Sequence, residues 1–135
     1  MENLYINHLA VFAAALSDFI IGALWFSPLL FYKQWMSVNN FTEDYLKKGN
    51  PGIIYGLTFI LALIISYNLA FFLGDAKTDA IWGLTAGLLA GLGWAAMAFT
   101  IISLFERRSL KYILINCGYI VTAFVLKGLI IGAWR

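Results

Sequence analysis

Long apolar runs alternate with short charged patches along the whole chain. Each run has about 20 residues or more, the length that an α-helix needs to cross the hydrocarbon core of a bilayer. The runs cover about residues 5–27, 51–73, 79–105 and 110–134. They predict an all-α membrane protein in which residues 1–135 form one domain, with four transmembrane helices in an antiparallel bundle.

The segment between the first and second runs has a different pattern, which indicates a short amphipathic element at the membrane surface. Aromatic and charged side chains are mixed across residues 29–49, as is typical of the headgroup level. Ser27-Pro28 is either a kink in a long first helix or the cap and first residue of a new interfacial helix, and we favour the latter. Thr42-Glu43 and Asn50-Pro51 predict two further helix starts.

Small residues recur at intervals of four in every run, so each predicted helix has one face lined with small side chains. In the first run this face carries Ala10, Ala14, Asp18 and Gly22. Small side chains let helix backbones approach closely in a membrane, so we assign these faces to helix contacts. The glycines expected to pack are Gly22, Gly83, Gly87, Gly91, Gly128 and Gly132.

One of these glycine pairs bears on assembly, and one short connection bears on topology. Gly128 and Gly132, near the end of the chain, indicate either close packing or self-association, and we expect a homo-oligomer. The connection 74–78 is short enough for a tight turn, which predicts that the second and third helices form a hairpin of antiparallel neighbours.

Composition supports the membrane assignment and removes several classes of function. The chain is 62% hydrophobic and 12% charged, against about 45–50% and about 25% in soluble domains. A formal charge of +2 with scattered basic residues does not provide the basic face that nucleic-acid binding requires. One cysteine and one histidine cannot form a zinc site, so we predict no metal and no cofactor.

The distribution of lysine and arginine predicts the orientation. Segments 29–49 and 106–111 lie on one side of a four-helix topology and hold six basic residues, whereas Lys77 and Arg135 lie on the other. By the positive-inside rule, loops 28–50 and 106–109 are cytoplasmic and both termini face outward in a bacterial inner membrane.

Asp18 is the strongest candidate for chemistry because a carboxyl group at a helix centre costs about 2.5–3.5 kcal/mol to insert. Two roles are open. It is either a structural group, hydrogen-bonded to a neighbouring helix or paired with Lys127, or it binds a cation or exchanges a proton. For Lys127 we favour a stem that lifts its ammonium group to the headgroups, with an internal pair to Asp18 as the alternative.

Three further side chains complete the predicted ligand- or proton-binding set. Asn116 shares a helical face with Lys127, because eleven residues make almost whole turns. Trp25 and Trp94 lie deeper than the interfacial tryptophans, where they either pack or offer a stacking surface to a cationic or planar ligand. No catalytic motif is present and only Asp18 is placed deep, so we predict that the protein is not an enzyme.

Several stretches together resemble a known family. They are GALWFSPLLF from Gly22, Trp35-Met36, Lys47 to Pro51, Asn116 to Tyr119, and the last glycines with Trp134. On these residues the chain resembles the bacterial membrane family called domain of unknown function 1761. The resemblance implies the architecture and carries no function or site residue. A looser similarity, to the small multidrug resistance transporters, rests on four short helices with an acid in the first.

Two functions are therefore expected. The first is an oligomeric protein that moves or binds a small solute or ion through Asp18. The alternative is a structural or regulatory module that does not transport, in which the aromatic cytoplasmic loop contacts lipid or a partner protein. A sealed environment around Asp18 would favour the alternative.

Overall fold

The computed structural model describes residues 4–135, and those residues contain helices and connections but no β-strand. The helices are α1 (His8–Trp25), α2 (Tyr32–Asn39), α3 (Glu43–Lys47), α4 (Pro51–Phe72), α5 (Ala80–Ala90), α6 (Met97–Phe105) and α7 (Leu110–Ala133). A π-helical segment, Gly91–Ala96, joins α5 to α6. Of the predicted domain, residues 1–3 lie outside the described part of the chain.

Four helices are long and apolar enough to cross a membrane, which confirms the four predicted spans. They are α1, α4, α7 and the continuous helical stretch Ala80–Phe105. Side-chain caps confirm the two starts predicted at Thr42 and Asn50, and Ser109, whose side chain is also suited to a cap, begins the last span in the same way. Thr42 accepts a hydrogen bond from the Tyr45 amide at 3.1 Å, Asn50 from the Ile53 amide at 3.2 Å, and Ser109 from the Tyr112 amide at 3.2 Å.

Ser27-Pro28 lies between two helices, as predicted, but does not begin the second one. The first span ends at Trp25, and residues 26–31 form turns before α2 begins at Tyr32. The Ser27 carbonyl accepts the Leu30 and Tyr32 amides, and the Ser27 hydroxyl accepts the Leu29 amide at 3.3 Å. These bonds fold the chain into a compact turn, so the helix that follows starts four residues later than expected.

The spans are arranged around α1 and α7. The start of α1 lies against the end of α7, since the Asn7 amide group donates to the Trp134 carbonyl at 3.4 Å. The other ends also meet, where the Trp25 indole donates to the Ile115 carbonyl at 2.9 Å. Helix α4 packs on α1, and α5 packs on α7.

The two spans of the predicted hairpin, α4 and α5, stand apart from each other. Although the connection between α4 and α5 is short, the two helices do not pack along each other, because each is held by a different central helix. They diverge from the connection 73–79 and leave a groove between them.

Glycines bring α5 and α7 into backbone contact, as their spacing predicts. A Cβ atom at Gly83 would clash with the Gly128 carbonyl oxygen and lie 2.8 Å from the Gly132 Cα, and one at Gly87 would clash with the Phe124 carbonyl oxygen. Gly91 meets the Phe124 side chain in the same way. Of the two roles expected for the pair in α7, the structure shows close packing inside the chain.

The end of the molecule that carries the chain termini is tied by polar contacts. The Arg135 guanidinium donates to the Leu73 and Asp75 carbonyls, both at 2.7 Å, and the Tyr5 amide donates to the Gly74 carbonyl at 3.1 Å. Buried side chains from four helices form a core close to this end: Val11, Ala14, Leu69, Ala70, Leu73, Ala86 and Ile131. The first and last spans and the α4–α5 connection are thereby fixed to one another.

Candidate functional site

Asp18 and Lys127 form an ion pair in the interior of the bundle. The Lys127 ammonium donates a hydrogen bond to Asp18 Oδ2, and the two residues are 0% and 5% exposed. The expectation that Lys127 extends to the headgroups is therefore wrong. Its stem is long enough to do so, but a carboxylate on the facing helix lies within its reach and the surrounding side chains close over the pair.

Tyr119 completes the group, which we call the Asp18 triad: Asp18, Tyr119 and Lys127. The Tyr119 hydroxyl donates to Asp18 Oδ1, so each carboxylate oxygen accepts a hydrogen bond from α7. On the opposite side, the Phe124 ring lies beneath the ammonium, with 4.7 Å between Nζ and the ring centroid. Both charges are thus compensated within the bundle, which is the condition for retaining them in an apolar interior.

The positions of these side chains follow from the helical repeat. Tyr119 and Lys127 are eight residues apart, so they lie on one stripe of α7 about two turns from each other. On α1, Ala10 and Ala14 are completely buried on the same face as Asp18 and bring the two backbones close. Gly22 faces the Tyr119 ring, and an added Cβ there would lie 3.5 Å from it, an ordinary van der Waals contact.

The remaining predicted site residues are not part of the triad. Asn116 shares the helical face with Lys127 but lies about 16 Å further along the axis, and its amide group donates to its own helix at the Tyr112 carbonyl, 2.9 Å away. Trp25 packs at the opposite end of α1 from the termini. There its indole donates a hydrogen bond to the Ile115 carbonyl, and its ring packs against Phe31 in a tilted arrangement with 5.0 Å between centroids.

Trp94 lies in a different place, on the π-helical segment, where it is 73% exposed. It lines the space between the diverging helices, which we call the α4–α5 groove and which has a volume of about 690 Å³. Ile65, Asn68 and Phe72 line the groove from α4, Trp82, Leu89 and Trp94 from the other wall, and Phe124 lies at its base. Neither Asp18 nor Lys127 lines it.

Two residues of the site were missed at the level of sequence. Tyr119 was visible on the polar face of α7 but resembles any interfacial tyrosine until its partner is known. Phe124 lies three residues before Lys127, a spacing that places the two side chains together on a helix. An aromatic ring beside a buried lysine was therefore a usable signal.

A series of aromatic contacts connects the triad to the segment from α2 to α3, which we call the surface segment. The Tyr119 ring lies 5.5 Å from Phe26, which lies 5.3 Å from Trp35, and Trp35 lies 5.3 Å from Phe41. Phe41 then stacks on Tyr45 at 5.0 Å. The residues that follow Ser27-Pro28 are thus in packing contact with the buried site.

Helix α2 is also fixed by a polar contact to the connection between α6 and α7. The Arg108 guanidinium donates to the Asn39 side-chain oxygen and lies 3.9 Å above the centroid of the Tyr112 ring.

No group of three or more potential metal ligands occurs within residues 4–135.

Comparison with known proteins gives one match. A family model described as "Protein of unknown function (DUF1761)" matches residues 9–132, which includes every residue of the triad and all four spans apart from His8 and Ala133. Neither a curated protein nor a solved structure matches the chain.

Proposed function

Because the chain belongs to the DUF1761 family of proteins of unknown function, which provides no activity to transfer, we propose a function from the geometry alone. The protein is a membrane module that does not transport: its four spans form an antiparallel bundle fixed by the Asp18 triad. It presents the segment from α2 to α3 at the membrane surface, for contact with lipid or a partner protein.

The observation that carries the proposal is the closure of the triad. A carboxylate that couples transport must exchange its cation or proton with water, whereas Asp18 has both oxygens occupied by donors from α7 and is 5% exposed. Lys127 cannot act as a free cation either, because its ammonium is committed to Asp18 and covered by Phe124. A buried pair of this kind is typical of a contact that specifies how two helices meet.

The surface segment supports the second half of the proposal. Trp35 packs on Phe26, which in turn lies against Tyr119, while Lys33, Lys47 and Lys48 are exposed together with the acids Glu43 and Asp44. A segment that is fixed to the core and carries exposed charges of both signs suits contact with lipid headgroups or with a polar surface of a partner protein.

Transport is tested directly in proteoliposomes that contain a pH-sensitive dye. We expect liposomes with the wild-type protein to hold a pH gradient, and separately a sodium or potassium gradient, as long as protein-free liposomes do. Collapse of the gradients on addition of an ionophore is the control. Protein-dependent dissipation that a folded Asp18→Asn variant lacks would overturn the proposal.

The proposed orientation places residues 28–50 and 106–109 in the cytoplasm of a bacterial cell and both termini outside. It rests on the distribution of lysine and arginine. Single cysteines at Lys47 and Lys77, in a Cys117→Ala background, test it with a membrane-impermeant maleimide on intact cells whose outer membrane has been permeabilised. We expect labelling at position 77 only, and labelling at position 47 only would reverse the orientation.

A further inference from the structure

The α4–α5 groove is an unusual feature for a bundle of four short spans. Consecutive spans joined by a short connection normally pack side by side, yet α4 is held by α1 and α5 by α7. The opening between them is as large as many small-molecule sites and faces sideways, toward the space that the bilayer fills.

The base of the groove separates its contents from the buried charges. Phe124 lines the groove, and the Lys127 ammonium lies 4.7 Å from the centroid of the same ring. Leu69 and Ala86, both buried, lie beside it. A molecule in the groove therefore meets an apolar surface rather than the ion pair.

The length and polarity of the groove match one leaflet of a bilayer. Trp82 is in the first turn of α5 and Trp94 is twelve residues further on, about 18 Å along the axis, a little more than half of the ~30 Å hydrocarbon core. Asn68 lies in the last turns of α4, at the same end as Trp82. Its amide group donates to the Ile64 carbonyl at 2.8 Å, which leaves its side-chain oxygen directed away from that bond.

The deeper part of the groove is shaped by the π-helical segment Gly91–Ala96. Segments of this kind are rare and frequently occur at functional sites. Here Trp94 is exposed to the groove, and a Cβ atom at Gly93 would meet nothing within 4 Å. The irregular backbone is supported from behind, because the Ala96 carbonyl accepts bonds from the Thr100 hydroxyl at 2.7 Å and the Cys117 thiol at 3.6 Å.

We propose that the α4–α5 groove binds one phospholipid of the leaflet at the Asn68 end. One acyl chain lies along Leu89, Gly93 and Trp94, and the polar part of the lipid lies beside Asn68 and Trp82. The groove surface is apolar apart from this end, which excludes a polar solute and fits a molecule with a single polar end.

A helix from a second copy fits the groove less well. Helices associate in membranes through small residues, whereas the rims here are formed by bulky, exposed side chains such as Phe72, Leu89 and Trp94. Gly83 and Gly87 are already in contact with the α7 backbone inside the chain, which leaves Gly93 as a single open glycine in the lining of the groove.

Native mass spectrometry of the whole protein, purified in a mild detergent, tests the proposal by counting retained phospholipid per chain. We expect one phospholipid on the wild type and about tenfold lower occupancy in Gly93→Leu, because the new side chain fills the groove. The matched control is Gly56→Leu, where an added Cβ also meets nothing within 4 Å but lies outside the groove. It retains the lipid.

A second pair of variants keeps the test decisive if Gly93→Leu does not fold. Leu89 and Leu61 are both 59% exposed, and only Leu89 lines the groove. Leu89→Trp lowers lipid retention and Leu61→Trp does not. Equal retention by each groove variant and its control overturns the proposal, as does a dimeric wild type that Gly93→Leu or Leu89→Trp converts to a monomer, since a second copy then fills the groove.

Discussion

Asp18 is stabilised by two donors of different kinds, a full charge from Lys127 and a hydroxyl from Tyr119. Neither donor is adjacent to Asp18 in the chain, and both come from one stripe of α7. An ion pair alone leaves one carboxylate oxygen without a donor in an interior that contains few polar groups. Tyr119 supplies that donor, so its hydroxyl contributes to stability although it carries no charge.

Replacing Tyr119 with phenylalanine isolates this contribution, because the ring and its contact with Phe26 remain. We expect Tyr119→Phe to lower the free energy of unfolding by about 1–2 kcal/mol, since a charged acceptor loses one donor. Thermal unfolding followed by circular dichroism in detergent measures the change. Tyr55→Phe is the control, because Tyr55 is 58% exposed on α4, and equal losses in the two variants would refute the assignment.

At the scale of helices, the contact between α5 and α7 depends on backbone approach rather than on large side chains. Gly83, Gly87 and Gly91 on one side face Phe124, Gly128 and Gly132 on the other. This contact positions α7 and therefore also the lysine and tyrosine of the triad. It also turns α5 away from α4, which opens the groove.

The same substitution at two glycines separates this contact from helix propensity. Gly83→Ala introduces a Cβ into the Gly128 backbone, whereas Gly56→Ala adds one where nothing lies within 4 Å. We expect Gly83→Ala to lower the unfolding temperature by several degrees and Gly56→Ala to leave it unchanged or raise it slightly, because alanine favours a helix by about 0.5–1 kcal/mol over glycine. A loss of stability at both positions would show that the close contact is not the cause.

The sequence predicts where the helices of this molecule begin better than it predicts which helices pack together. Asn50-Pro51, Thr42 and Ser109 mark helix starts correctly because a cap is a local hydrogen bond. The glycines of α5 and α7 predict a contact surface, but their spacing does not name the partner helix. The packing of α4 on α1, and hence the groove, depends on contacts between residues far apart in the chain, which periodicity does not encode.

The candidate site shows the same division. The depth of Asp18 was evident from a carboxyl group inside an apolar run. For the Lys127 ammonium two positions were predicted, at the headgroups or in a pair with Asp18. The choice between them depends on the rotation of α1 relative to α7, which no local pattern specifies. The π-helical segment around Trp94 was not predicted, because its glycines favour helix contact equally well.

At the scale of the whole molecule, α1 and α7 form a central pair, and the other spans pack against it. The terminal contacts of Asn7 and Arg135 fix one end of this pair, and Trp25 fixes the other. The Asp18 triad lies between the two ends and joins α1 to α7. The homo-oligomer remains a prediction, for which the native mass of the purified protein is the measurement.

The central claim is that Asp18 and Lys127 act on each other to hold the bundle together. A double-mutant cycle tests it through the unfolding temperatures of Asp18→Leu, Lys127→Met and the double variant in detergent. Each single change leaves a buried charge without its partner, at a cost of about 3–5 kcal/mol, whereas the double variant removes both charges. We predict that the double variant recovers most of the stability that either single variant loses, and additive losses would contradict the claim.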